Sequence, residues 1–151
     1  MSDRPTFIPH MVSSNAAAAI EFYKKAFGAT ELMRHAAPGS DKLMHVTLAI
    51  GGGILMLNDD FSAQMGHKSE TAESLGGTPI TLHLQVEDAD AAWAQALEAG
   101  AEVIYPLKDQ FWGDRYGQVR DPFGNKWSIG QTIAKPTEEE IQEGAKASMA
   151  L

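Results

Sequence analysis

The chain nearly repeats itself, and this internal repeat constrains its fold more than any local motif. A short apolar strand with a histidine, an Asn or Asp five residues later, an Ala-rich helix and a closing glycine occur twice. These features are His10, Asn15 and Gly28 in the first copy and His83, Asp88 and Gly100 in the second. The two histidines are 73 residues apart (83 − 10). A repeat this long in 151 residues predicts two paired modules that share a cavity, rather than a solenoid.

Composition limits the class of protein. A chain of 151 residues with 44% hydrophobic residues suits one compact domain, 1–151. The formal charge of −8 argues against a nucleic-acid partner, because phosphates require basic patches. The absence of cysteine removes disulfides and thiolate chemistry. With no signal-peptide core and no run of about 18 apolar residues, we expect a cytoplasmic protein without membrane association.

Hydrophobic periodicity predicts the same element order, β-α-β-β-β, in both halves. The first half has a helix over 16–27 and strands over 7–12, 31–35, 43–50 and 54–57. The second has a helix over 89–99 and strands over 80–86, 102–105, 114–120 and 126–131, with Pro106 ending the first strand after the helix. This pattern predicts an α+β fold with module one at about 5–59, a connector at about 60–78, module two at about 79–133 and a C-terminal helix at about 137–149. The connector is interpreted as a mobile lid over a site or as a linker.

Three segments resemble one protein family. They are AIEFYKKAFGA at 19–29, ILMLND at 54–59 and DQFWGDRYGQVRDPFGNKW at 109–127. Together with the two modules, they are similar to the vicinal oxygen chelate superfamily of glyoxalases, bleomycin-resistance proteins and extradiol dioxygenases, and most to its PhnB-like branch. The resemblance covers about 5–133. It implies a cup of curled mixed sheet with helices outside, and a homodimer, since these cups often form across subunits.

The resemblance also implies where a divalent metal would be bound. In the metal-dependent members, the first and last strands of each module supply the ligands. Carried over by position, these places fall on Ile8, Thr81, Met56 or Leu57, and Ser128. Because none is a histidine or a carboxylate, no metal is expected at the usual positions.

Two histidines lie one strand step from these places. His10 is two residues beyond Ile8 and His83 two beyond Thr81, and strand side chains repeat with period two. Both imidazoles are therefore expected to point into the cup, and His45 is a further candidate. They are interpreted either as a displaced metal site or ligand-binding pair, or as inward polar residues bonded to backbone or water.

Trp112, Asp114 and Arg115 form the other candidate constellation. An aromatic face, a carboxylate and a guanidinium on one segment can hold a flat or charged small molecule. Alternatively, Asp114 and Arg115 stabilise the loop before a strand while Trp112 fills the edge of the core. Asp59, after the last strand of module one, is interpreted as a cation ligand or as the solvated start of a loop.

Three functional hypotheses follow. The first is a small-molecule-binding protein that lacks the usual metal ligands, with a cup lined by Trp112, Arg115, His10 and His83. The second is a metal-dependent lyase, isomerase or dioxygenase with a displaced site built from His10, His83 and either His45 or Asp59, so that a divalent metal is its cofactor. The third is a structural or interaction protein whose cup is closed by side chains.

Overall fold

The structure, a computed structural model, describes residues 4–149. Two four-stranded mixed sheets carry helices on their outer faces. The first module comprises β1 (His10–Ser13), α1 (Ala16–Phe27), β2 (Thr30–Ala36), β3 (Leu43–Ile50) and β4 (Gly53–Asp59). The connector has two single-turn helices, α2 (Ser62–Met65) and α3 (Ala72–Leu75). The second module comprises β5 (Thr81–Gln85), α4 (Ala89–Ala99), β6 (Glu102–Asp109), β7 (Asp114–Arg120) and β8 (Lys126–Thr132), and α5 (Glu138–Met149) follows.

The two sheets have the same topology. Their strand orders are β1-β4-β3-β2 and β5-β8-β7-β6, with the first strand of each module parallel to the last and the other pairs antiparallel. The sheets curl without closing a barrel. The α+β fold with two βαβββ modules and a C-terminal helix is therefore confirmed.

Local capping determines where the main helices begin and end. The Asn15 side chain accepts a hydrogen bond from Ala18 N at 3.1 Å, and Asp88 does the same for Ala91 N at 3.0 Å. At the other end of α1, Gly28 adopts a φ of 67°, which suits a residue without a Cβ. The predicted bounds of α1 and α4 are both confirmed because these signals are local.

Each helix is also held by the last strand of its own module. Asp59 accepts from Ala16 N at 2.8 Å and from Leu43 N at 2.6 Å. Gln131 holds the corresponding place in the second module and accepts from Ala89 N at 2.9 Å. The sheet thus satisfies a free helix donor in each half.

An aromatic cluster joins the two modules. The α1 rings of Tyr23 and Phe27 lie against Trp127 of β8, with ring centroids 5.1 and 4.4 Å apart. Phe22 and Tyr23 also contact Phe123 edge-on. Since Tyr23 is fully buried and Trp127 is 2% exposed, this cluster is the centre of a core shared by both modules.

A buried carboxylate anchors this cluster. Asp121 accepts from the Tyr23 hydroxyl at 2.5 Å and from Trp127 Nε1 at 3.0 Å. The backbone amides of Phe123 and Asn125 complete its shell, both at 2.9 Å. The turn 121–124 is thereby tied to α1 of the other module, and four donors compensate the buried charge.

Three predicted elements differ from the structure. β6 continues through Pro106, whereas the prediction ended the strand at that residue. Because β6 is an edge strand with register shifts, the missing N–H of proline is tolerated there. β1 begins at His10 instead of 7. The connector contains α2 and α3, whose turns are too short to produce hydrophobic periodicity.

Candidate functional site

A cavity of about 820 Å³ lies between the two modules. Its walls come from β1, β4, β5, the start of β8, the N-terminal segment and the connector. Most of its lining is apolar, including Phe7, Ile54, Leu75, Ile80, Leu82 and Trp127. Both His10 and His83 line it, so the repeated histidines meet at one cavity. A mainly apolar cleft with a few polar groups is the usual form of a small-molecule site.

Hydrogen bonds orient His10. Its Nε2 lies 2.7 Å from Asn58 Oδ1, and the Asn58 amide group donates to the backbone oxygen of Asp59 at 2.8 Å. The amide oxygen is thus an acceptor, and His10 Nε2 carries the proton. In its neutral form the ring then presents Nδ1 as an acceptor, and in its cationic form it presents Nδ1–H as a donor.

His83 is held at both ring nitrogens. The Gln85 amide group donates to Thr132 Oγ1 at 3.0 Å, so its Oε1, 2.7 Å from His83 Nε2, accepts a hydrogen bond from the ring N–H. The Ser128 hydroxyl, 2.7 Å from Nδ1, then donates to the neutral ring. Tyr116 stacks on this imidazole at 5.9 Å. These contacts fix the tautomer and orientation of His83.

His45 lies on the concave face of the first sheet, next to the cavity. Its Nε2 is 3.0 Å from Thr47 Oγ1, and its ring meets His10 edge-on at 6.2 Å. His35 is its direct cross-strand partner on β2. Burial lowers the pKa of His45, and electrostatic repulsion from the neighbouring basic side chains His10, His35 and Arg4 lowers it further.

The usual metal positions do not fit a divalent ion. Met56 pairs with His10 across β1 and β4 and offers only a thioether. Ser128 is 1% exposed, and its hydroxyl is engaged by His83. Within residues 4–149, no three His, Asp or Glu side chains are grouped to hold a metal ion. That His10 or His83 contacts a metal or a ligand stays a prediction.

Trp112 and Asp114 are bonded to each other outside the cavity. The indole Nε1 donates to Asp114 Oδ2 at 3.1 Å. Trp112 is 38% exposed, and its ring meets Tyr116 edge-on at 5.6 Å. Since Tyr116 stacks on His83, Trp112 extends an aromatic surface along the second sheet.

Arg115 does not join the cup, contrary to the expected lining. Its guanidinium contacts Asp90 of α4 at 2.9 Å and Asp109 of β6 at 2.7 Å. The alternation of strand faces explains this orientation, because Arg115 pairs with Gln131, whose side chain caps α4 on the helix side. The guanidinium lowers the pKa of Asp109 through a hydrogen bond and its charge.

The two aspartates at the end of β4, Asp59 and Asp60, have structural partners. Asp59 is 8% exposed and caps α1, as described above, rather than starting a solvated loop. Asp60 bonds to Ser62 and Ser69, and these hydrogen bonds lower its pKa to about 2. Both carboxylates thus organise the backbone at the start of the connector.

Two walls of the cavity contain no residue that the sequence analysis named as lining. The N-terminal segment contributes Phe7, which is 86% exposed, and the connector contributes Leu75, which is 65% exposed. Their exposed apolar side chains next to polar stretches were an available signal. The connector is tied down by hydrogen bonds, including Ser14 to Glu73 at 2.5 Å.

Comparisons with known proteins agree with the fold. A sequence model of the Glyoxalase/Bleomycin resistance protein/Dioxygenase superfamily matches residues 8–129. The chain belongs to this superfamily. Within residues 4–149, no helix is long and apolar enough to cross a membrane.

Individual relatives share the fold over most of their length. An uncharacterised protein of Mycobacterium tuberculosis is 54% identical over 139 residues, covering 91% of this chain and 81% of the relative. The crystal structure of TioX from Micromonospora sp. ML1 has a TM-score of 0.66 at 26% identity, covering 85% of this chain and 99% of TioX. A PhnB protein from Bacillus cereus is 13% identical with a TM-score of 0.64, over 84% of this chain and 99% of that protein, which shows the shared fold alone.

Proposed function

We propose that this chain is a small-molecule-binding protein whose ligand occupies the cavity between the modules. The observation that carries the proposal is the cavity itself, about 820 Å³ with a mainly apolar lining from both modules. This volume lies within the range of roughly 300–1,000 Å³ typical of ligand sites. A ligand there would remove the exposed apolar side chains at its mouth, such as Phe7 and Ile80, from water.

The polar groups at the cavity suit recognition of a ligand group that forms hydrogen bonds. His10 and His83 are each oriented by a side-chain amide, so their rings are preorganised. Ser128 and Met56 stand where the metal-dependent members of the superfamily place ligands. These features favour binding without the usual metal chemistry.

Dye binding tests the proposal. N-phenyl-1-naphthylamine, a neutral apolar dye whose fluorescence rises in apolar sites, is titrated into the protein and into Ile54→Trp. Ile54 lines the cavity and is half-buried, so the larger ring fills space there. We expect at least about tenfold weaker binding, since about 1.4 kcal/mol corresponds to tenfold.

The matched control is Val103→Trp, which adds the same ring at a position 48% exposed and outside the cavity lining. It is expected to leave dye affinity unchanged. Equal dye affinity in all three proteins would show that the dye binds elsewhere and would count against the proposal.

A homodimer and a cytoplasmic location stay predictions from the sequence. The oligomeric state is measurable by light scattering during gel filtration. A mass of one chain, 16.3 kDa, would contradict the dimer.

A further inference from the structure

The cavity opens beside a row of imidazoles, and this row indicates the chemistry of its ligand. We propose that the ligand is an amphipathic anion, with an apolar body in the cavity and a single anionic group, such as a carboxylate, on the imidazole row His10, His45 and His35. This inference rests on the proposed function and extends it to a ligand class.

The imidazole row runs outward from the cavity across the concave face of the first sheet. His10 lines the cavity on β1, His45 follows on β3 with its ring 6.2 Å from that of His10, and His35 pairs with His45 on β2. Direct cross-strand partners and alternate residues share one face of a sheet, so all three side chains lie on the same side. A ligand that leaves the cavity at His10 therefore meets two more imidazoles.

A further basic residue, Arg4, lies near this row. Burial is the main cause of the lowered pKa of His45, and repulsion from His10, His35 and Arg4 lowers it further. Such a surface is unusual in a chain with a formal charge of −8. An anion bound there would relieve the repulsion among the cationic groups and would accept hydrogen bonds from them.

The cavity's own charged lining sets no competing preference. Among the described residues that line it, Glu70 and Lys126 are the charged ones, apart from the histidines, and their signs are opposite. The polar end of the ligand is therefore decided by the imidazole row, while the apolar walls favour a hydrocarbon or aromatic body.

Two dyes with one ring skeleton separate these contributions. N-phenyl-1-naphthylamine is neutral, and 8-anilinonaphthalene-1-sulfonate carries one sulfonate on the same rings. Both are titrated at about pH 5, below the ordinary imidazole pKa of about 6.5, because the lowered pKa of His45 requires a more acidic solution for its cationic form. We expect the sulfonate dye to bind about tenfold more tightly, as hydrogen bonds to charged groups are stronger than neutral ones.

The variant His35→Gln/His45→Gln removes two imidazoles of the row and leaves the cavity lining intact. It is expected to remove the preference for the sulfonate dye and to retain the affinity for the neutral dye, which also reports that the cavity is folded. The control is His67→Gln, an exposed connector histidine that does not line the cavity, and it is expected to retain the preference.

The outcomes separate the two proposals. Equal affinities of the wild-type protein for both dyes, or a preference that survives His35→Gln/His45→Gln, would overturn the anion inference while the binding function stands. Binding of neither dye would overturn both. The inference would be supported if His35→Gln/His45→Gln lost the preference for the sulfonate dye while His67→Gln retained it.

Discussion

The hydrogen bond between Tyr23 and Asp121 provides a direct test of how the modules are held together. Tyr23→Phe removes one oxygen from a fully buried ring and leaves the Asp121 carboxylate, 4% exposed, with one donor fewer. A hydrogen bond to a charged group contributes about 1.5–3 kcal/mol. We therefore expect the free energy of unfolding to fall by about 2 kcal/mol, and the Tm by roughly 4–8 °C for a chain of this size.

Urea unfolding followed by tryptophan fluorescence and circular dichroism measures this change. The control is Tyr105→Phe, which removes a hydroxyl from a side chain that is 61% exposed and is expected to change stability by less than about 0.5 kcal/mol. If Tyr23→Phe were no more destabilising than Tyr105→Phe, the carboxylate would not depend on this donor, and our reasoning about the anchor would be wrong.

The hydrogen bond between Tyr23 and Asp121 should also make the stability of the protein depend on alkaline pH. Burial, followed by the charge and hydrogen bond of Asp121, raises the pKa of Tyr23 well above its ordinary value of 10.0. Above about pH 10 the unfolded chain releases this proton more readily than the folded one, so the contribution of Tyr23 is present below that pH and decreases as the pH rises. The stability difference between the wild-type protein and Tyr23→Phe should therefore shrink above about pH 10. A constant difference would contradict the raised pKa.

Three further predictions concern packing, tautomer and orientation. Gly117→Ala would place a Cβ 2.6 Å from the Trp93 ring of α4 and should lower the free energy of unfolding by about 1–3 kcal/mol. The control Gly53→Ala meets only an ordinary 3.5 Å contact, so equal unfolding curves of the two variants would refute this prediction. In nitrogen-15 NMR, neutral His83 should show the Nε2–H tautomer, and Ser128→Ala should shift its Nδ1 signal; an Nδ1–H tautomer would contradict the assigned bonds. Arg115→Gln should bind the neutral dye with an affinity within about twofold of the wild-type protein, since this side chain faces α4. A larger loss of affinity would indicate that Arg115 contacts the ligand.

The helices and the topology were predictable from the sequence because their signals are local or repeated. Asn15 and Gly28 mark the two ends of α1, and the same types of residue mark α4. The C-terminal helix was indicated by its capping box, in which Thr137 and Glu140 bond reciprocally. The recurrence of these patterns also predicted two equivalent sheets.

The cavity was predictable only in part. The alternation of strand residues placed His10 and His83 at the shared cavity. The same alternation places Arg115 on the helix side of the sheet once the register of β7 is known. The prediction grouped Arg115 with Trp112 by sequence proximity and did not consider which face of the strand each side chain occupies. The walls from the connector depend on tertiary packing, for instance of Ala72 near Gly124, which no local pattern reveals.

The aromatic cluster has a consequence for how the two halves of the chain can fold. Phe22, Tyr23 and Phe27 belong to the first module, yet they pack against Phe123 and Trp127 of the second. The first module alone would expose part of these rings to water, which is unfavourable. Separated halves of the chain should therefore fold only when they are mixed.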